Sequence, residues 1–451
     1  MRQLRWRFAA ALALLCSAAP VHPATEVDVD TAKRLALVLV SKGQPNAALF
    51  LLAPLAERFP DDPEVLIAQS RAHRALGAHD TAIQLARHAF AQAENQSHKH
   101  LAARVLAEAL ASNGQHTRAQ IWLRRAGQTA PTEAARTSVQ RDYAYVRSRN
   151  PWAFSFRGAI TPTDNANDAP TSDEIIIGGL VFRDPSAQPI AGIEYHFGGT
   201  ATYRFAATET TQTELRFSYD GRRTDLEDSA TDIDPNIRNS DFSSDRITFE
   251  WAGRFRRPDQ PGVYDAALAT FFDWNGGDRS QDGLRAIGGY TFPVGERSQL
   301  RVGLEVEDLD RRDREVRSST TKRATLDWSH RTEGANLIQL HFSYADTSSD
   351  SAAVAHESVR FRANYYFAKP VMNAQIGLGL DLRASMFDRP LYGPDPREDD
   401  ALGLSATATF SELDVYGFAP VLELRRDRVF SNVSGFDTET VQLSVSFRST
   451  Y

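Results

Sequence analysis

The stretch Ser298-Gln-Leu-Arg-Val-Gly-Leu-Glu-Val-Glu-Asp-Leu309 decides the fold. Leu300, Val302, Leu304 and Val306 recur at every second position, and Arg301, Gly303, Glu305 and Glu307 fill the places between. Successive side chains of a strand point to opposite faces, so this alternation gives one apolar and one polar face. The pattern returns at 337–344, where Ile338, Leu340, Phe342 and Tyr344 alternate with Gln339, His341 and Ser343. It returns at 358–367, where Val359, Phe361, Ala363, Tyr365 and Phe367 alternate with Arg360, Arg362, Asn364 and Tyr366. About fourteen such segments lie between 152 and 451.

A soluble sandwich alternates as well, so the connections must decide. One set is short and turn-like: 207–210, 257–262, 293–297, 332–334, 368–370 and 411–414. The other is longer and acidic: 161–189, 224–243, 275–282, 308–318, 346–353, 388–399 and 429–436. The two sets alternate strictly along the chain, as short periplasmic turns and long external loops do in an outer-membrane barrel. Strands of about 10 residues at about 3.3 Å each, tilted about 40°, rise about 25 Å, the height of the apolar band of such barrels. An even strand count returns both ends of the barrel to one side, which is the periplasm for an exported chain. Val441, Leu443, Val445, Phe447 and Tyr451 share one face, and Phe447 and Tyr451 read as a terminal-strand signal for the barrel-insertion machinery.

The polar face of a barrel lines its lumen. Arg216, Asp220, Arg301, Glu305, Glu307, Arg360, Arg362, Asp381 and Arg383 are candidate lining residues. They suit a passage for a polar solute or chain, and equally a set of ion pairs that brace the wall. For any single residue, bracing is the commoner role.

Residues 26–149 are of another kind, rich in Ala, Leu, Arg and Gln. Gly43, Gly77 and Gly114 recur 34 and 37 residues apart. Each is followed five residues on by an alanine, Ala48, Ala82 and Ala119, and seven further on by Leu55, Ala89 and Ala126. Pro60 and Pro131 close the first and third units, with Glu94 at that offset in the second. This resembles the tetratricopeptide repeat. The glycine ends one helix, the alanines let its partner approach, and the proline stops that partner. Each hairpin cannot bury its apolar face alone, so neighbours stack and present a concave surface to a partner. His98 and His100 lie in a polar stretch between repeats and read as solvated.

Arg2, Arg5 and Arg7, the apolar run 8–15 and the small residues after it read as a signal peptide over 1–24. Cys16 is the only cysteine, so the mature chain would hold no thiol, which suits an oxidising compartment. Removing those arginines takes the formal charge from −7 to about −10, a poor balance for binding nucleic acid. No apolar run beyond the signal is long enough for a helical membrane span. No metal-binding or nucleophile motif is visible, so neither catalysis nor a cofactor is expected.

The expected fold is therefore N-terminal tetratricopeptide-like helices in the periplasm, over 26–149, followed by an antiparallel outer-membrane β-barrel of about fourteen strands over 150–451. The order of parts, with Asn150-Pro-Trp-Ala-Phe-Ser-Phe at the junction and Pro162-Thr-Asp-Asn-Ala-Asn-Asp-Ala169 after it, resembles the surface lipoprotein assembly modulator family of the type XI secretion pathway. That family's pattern runs close to Pro-x-(Asp/Ser)-Asn-x-Asn, met here by Pro162, Asp164, Asn165 and Asn167. The resemblance implies a Gram-negative outer-membrane translocon. It would deliver lipoproteins or related soluble binding proteins to the cell surface, with the helices receiving the substrate or a periplasmic chaperone complex. Its other partner would be outer-membrane lipid. A polysaccharide-export barrel and a passive porin are the alternatives.

Overall fold

The computed structural model describes residues 28–177, 180–183, 187–391 and 393–449. The expected signal peptide with Cys16, and Tyr451, lie outside the described residues.

Among the described residues, seven helices precede the barrel: α1 (Val29–Ser41), α2 (Pro45–Arg58), α3 (Pro63–Ala75), α4 (His79–Gln92), α5 (Gln96–Ser112), α6 (His116–Gln128) and α7 (Glu133–Arg149). Asp28, Asp62, Asn95 and Thr132 start α1, α3, α5 and α7 by accepting backbone N–H groups of the first turn. Pro63 follows Asp62 at the first helical position, where its missing N–H costs nothing. Gly43, Gly77 and Gly114 stand after α1, α3 and α5 with φ of 74°, 78° and 74°. That left-handed backbone turns each helix onto the next, and a side chain would strain it. The helices thus form three hairpins closed by α7. Ala48, Ala82, Ala89, Ala119 and Ala126 are fully buried between them. Leu52, Leu106, Leu110 and Leu123 are buried beside them. Each leucine contributes about 2 kcal/mol of apolar burial. Pro60 lies between α2 and α3, and Pro131 between α6 and α7.

His100 departs from expectation. It is buried on α5, and its Nδ1 lies 2.8 Å from the carbonyl oxygen of Ala126 on α6. Stacking the hairpins turns that side of α5 inward, and the ring satisfies a carbonyl in the last turn of α6, two residues before its end. His98 stays partly exposed, 3.3 Å from Glu64.

The barrel consists of β1 (Trp152–Thr163), β4 (Gly192–Arg204), β5 (Thr211–Leu226), β6 (Ser244–Arg256), β7 (Val263–Asn275), β8 (Asp278–Pro293), β9 (Ser298–Arg311), β10 (Ser319–Arg331), β11 (Leu337–Ser349), β12 (His356–Tyr366), β13 (Gln375–Phe387), β14 (Glu398–Thr409), β15 (Phe418–Ser431) and β16 (Thr438–Ser449). These fourteen strands form one closed antiparallel sheet in chain order, with β1 against β16 at the seam. The strands β2 (Glu174–Ile177) and β3 (Leu180–Arg183) form a separate hairpin in the connection after β1. Val302, Leu326, Phe342, Phe361, Leu382 and Leu402 stand opposite one another on β9 to β14 and face outward. Most of this exterior is exposed apolar surface, including Leu304, Leu404, Leu424 and Phe447. Only a hydrocarbon surround solvates such a band, and closing the sheet removes the unpaired edges that lipid does not tolerate.

Connections at the end near the helices are short. At the other end 164–191, 227–243 and 388–397 are longer, but 312–318, 350–355 and 432–437 are no longer than 367–374 and 410–417, so the expected contrast holds only in part. One segment departs further. The segment 275–282, expected as a loop, is a two-residue turn at Gly276-Gly277 with φ of 60° and 94°. Two left-handed positions make a tight hairpin, so β7 and β8 run on and Asp278 and Asp282 lie within β8.

Candidate functional site

The lumen is lined by charges that the register sets side by side. Arg301, Asp327, His341, Arg362 and Asp381 stand directly opposite one another on β9 to β13, a polar row across five of the fourteen strands. His341 Nδ1 lies 2.6 Å from Asp327, and Arg301 Nη1 lies 3.5 Å from the same carboxylate. Arg301 also holds Asp265 in a two-pronged pair, at 3.0 and 2.6 Å. Arg246 holds Asp273 the same way, at 2.6 Å on both arms. The planar guanidinium fork fits a carboxylate face to face, which strengthens the pair and fixes its orientation.

Of the residues expected in the lumen, Arg216 pairs with Glu214 and Glu250, Asp220 with Arg157, Glu305 with Arg323, and Glu307 with Arg285 at 3.6 Å. Arg360 and Arg362 both reach Asp381. Arg383 alone among them has no carboxylate partner among the described residues, and it faces Arg360 across β12 and β13. Bracing therefore accounts for most of the predicted set. Arg383 is a net positive charge turned to water.

Sequence reading missed the other halves of these pairs, Arg157, Glu214, Glu250, Asp265, Arg285, Arg323 and Asp327, and both halves of Arg246–Asp273. The same period-2 rule, applied to every strand, finds each of them. It does not find the small residues that make room. A Cβ at Gly289 would stand 2.4 Å from the Arg301 Nη2, and one at Gly303 2.6 Å from its Nη1. A Cβ at Gly198 would stand 2.6 Å from Asp220 Oδ1, and one at Gly403 2.7 Å from Asp427 Oδ1. Glycine lets the ion pairs lie flat on the wall and leaves the lumen clear.

Pro162, Asp164, Asn165 and Asn167 gather where β1 ends. Asp164 accepts the Val441 N–H at 2.8 Å, and Asn165 donates to the Glu439 carbonyl at 3.1 Å, so both residues tie β1 to β16. Asn165 is buried and also bonds both backbone groups of Ala169. Asn167 bonds Gln188 and Ile190 on the returning arm of that connection. Pro162 lies within β1, opposite Ile193 of β4.

The other end of the barrel meets the helices. Arg124 on α6 donates to the carbonyls of Tyr416 and Gly417, at 3.2 and 3.0 Å, and to Ser449 at 2.9 Å. Its guanidinium covers the rings of Tyr143 and Phe418. Gln128 accepts the Tyr416 N–H at 2.7 Å. Tyr416 and Gly417 have φ of 52° and 82°, so the turn between β14 and β15 is bent to present these groups. At the junction, Asn150 is buried, donates to Thr117 and Gln120 of α6, and accepts the Trp152 N–H. Between α7 and the barrel rim lies a cavity of about 950 Å³, lined by Glu133, Arg136 and Gln140 on one side and Gln375, Glu412 and Arg448 on the other. Nothing in the sequence points to Arg124, whose partners on the barrel lie about three hundred residues away.

No protein-family model and no curated protein matches the sequence. Among solved structures, the chain is similar to an outer-membrane channel of Pseudomonas putida, at 11% identity over 65% of this chain and 93% of that one, with a TM-score of 0.31. It is similar to a BenF-like porin of Pseudomonas fluorescens, at 9% identity over 66% and 98%, with a TM-score of 0.35. It is also similar to the type III secretion translocator chaperone SycD of Yersinia enterocolitica, at 18% identity over 28% and 88%, with a TM-score of 0.24.

Proposed function

We propose that this chain is an outer-membrane translocon that delivers specific lipoproteins or related binding proteins to the cell surface. In this reading the helices stand in the periplasm and receive the client, and the barrel lets it pass. The observation that carries the reading is the junction at the barrel rim. Arg124 and Gln128 fasten α6 to the β14–β15 turn, and α7 borders a polar cavity at the same rim. A client held by the helices is then already at the mouth. The charged lumen offers it a polar path, and the client supplies its own driving force by folding outside. The family resemblance at Pro162, Asp164, Asn165 and Asn167 names the kind of cargo.

The test is removal of the gene in the native host, with surface proteolysis of exported lipoproteins. Their surface exposure should fall, return with the wild-type gene, and return only weakly with Arg124→Glu, although that barrel still inserts. Unchanged exposure on removal overturns the reading. A loss of surface polysaccharide would instead assign the barrel to polysaccharide export, and a loss of small-solute uptake alone would make it a porin.

A further inference from the structure

We infer that the barrel has a lateral window between β1 and β16, through which the acyl chains of a lipid-modified client lie in the bilayer while its polar part occupies the lumen. This rests on the translocon reading and narrows the client to an acylated chain.

The seam is unlike the rest of the wall. β15 and β16 are paired from Phe418↔Ser449 to Val429↔Thr438, and β1 and β4 along the whole of β1. Among the described residues, β1 and β16 pair only at Ala159↔Ser446, Ile160↔Val445 and Thr163↔Gln442. Towards the helices the two strands continue, but among the described residues Arg157 and Gly158 of β1 are paired on the β4 side alone, and Phe447 and Arg448 of β16 on the β15 side alone. An unpaired edge facing lipid is not tolerated, so water, a headgroup or a client must meet it.

A cavity of about 1010 Å³ lies against the opening. It is lined by the lumen-facing Arg157, Asp220, Arg246 and Arg448 and by the outward-facing Phe156 and Phe447. Phe156 and Phe447, on the outer face of the two strands, are 72% and 59% exposed. Charge on the inner side and aromatic rings on the outer side match an amphiphile lying across the wall, with a polar part inside and hydrocarbon outside.

The seam is shut at its other end and framed at this one. Asp164 and Asn165 bond the backbone of Val441 and Glu439, and the hydroxyls of Thr161 and Ser444 lie 2.9 Å apart. At the helix end, α6 touches both sides of the opening: Thr117 and Gln120 hold Asn150 ahead of β1, and Arg124 holds Ser449 of β16. The helix that is proposed to receive the client therefore sets the width of the window.

Two measurements test this on the full-length chain. In the first, a bimane label is placed at Arg448→Cys beside the window, or at Gln339→Cys on the inner face of the intact wall, each in a Cys16→Ser background. The protein is reconstituted in vesicles of dibromostearoyl phosphatidylcholine, whose acyl bromines quench on contact. The label at 448 should lose fluorescence relative to plain phosphatidylcholine and the label at 339 should not. Equal behaviour at both sites overturns the window, whatever the barrel transports. In the second, cells are fed an alkyne-tagged fatty acid and treated with proteinase K. Gly158→Cys with Phe447→Cys, in the same Cys16→Ser background, puts a disulfide across the opening, and its oxidised form should abolish surface release of tagged lipoproteins. The same chain reduced with dithiothreitol, and oxidised Leu326→Cys with Phe342→Cys across the intact wall, should leave release unchanged. If 448 is quenched and the oxidised 158–447 chain still exports, the acyl route is overturned while delivery stands. If loss of the gene itself changes no exposure, the delivery reading fails and takes the client with it, and the acyl route is overturned.

Discussion

Single side chains in this protein act mainly by matching a charge or a backbone group that the fold brings to them. Asp62 is one case. It caps α3 and sits 2.6 Å from the Lys33 ammonium of α1, which also meets Glu64 at 3.1 Å. Partial burial pushes the Asp62 carboxyl up, but the Lys33 ammonium and the Val65 and Glu64 N–H groups outweigh it and hold the group below its ordinary value. Its stabilising effect is therefore complete above about pH 4, the unperturbed value, and is lost as pH falls through the lower folded value. Asp62→Asn keeps the cap and removes the charge. It should cost about 0.5 kcal/mol at neutral pH and flatten the acid limb of a helix melt followed by circular dichroism. An unchanged acid limb would show that the pair contributes nothing. The alternation that marks Arg301 as lumenal is legible in the sequence. Its binding to Asp265, 36 residues away, is not, because alternation gives a face and not a neighbour.

At the scale of the element, a few glycines decide what the rest can do. Gly43, Gly77 and Gly114 end helices in a conformation that disfavours a side chain. Gly77→Ala should lower the helical domain's stability by about 1 kcal/mol through that backbone alone, since no atom stands in the way of the new methyl. Denaturant titration at the helical circular dichroism band measures it. An unaltered midpoint would mean that the turn relaxes freely. The repeat was legible because glycine, alanine and proline each have one physical reason to recur at fixed spacing. The turn at Gly276-Gly277 was not legible as a turn, because acidic residues signal exposure equally well in a loop and in a strand that projects beyond the membrane. His100 was misread for a related reason. Its neighbours Ser97, His98 and Lys99 are polar, and only the packing of α5 on α6 shows which side of the helix is covered.

At the scale of the molecule, the barrel is a ring whose closure depends on its weakest join. The loop end of that join rests on Asp164 and Asn165. Asn165→Ala leaves the carbonyls of Ala169 and Glu439 without a donor in a buried place, a loss of about 1–3 kcal/mol. The variant should insert but unfold at a lower temperature in heat-modifiability gels, and Asn167→Ala, which bonds only within the connection, should change this less. Equal effects would mean that Asn165 stabilises the loop and not the seam. The sequence by itself determined that a repeat of helices joins a barrel of about fourteen strands, and which face of each strand meets lipid. Those properties follow from local spacing, and every residue carries its share of the signal. Only the tertiary structure decided that the lumenal charges pair along the wall, that Arg124 fastens the helices to the rim, and that β1 and β16 part below Ala159. Each of these depends on which distant residues the closed ring brings within hydrogen-bond reach, and no local pattern encodes that distance.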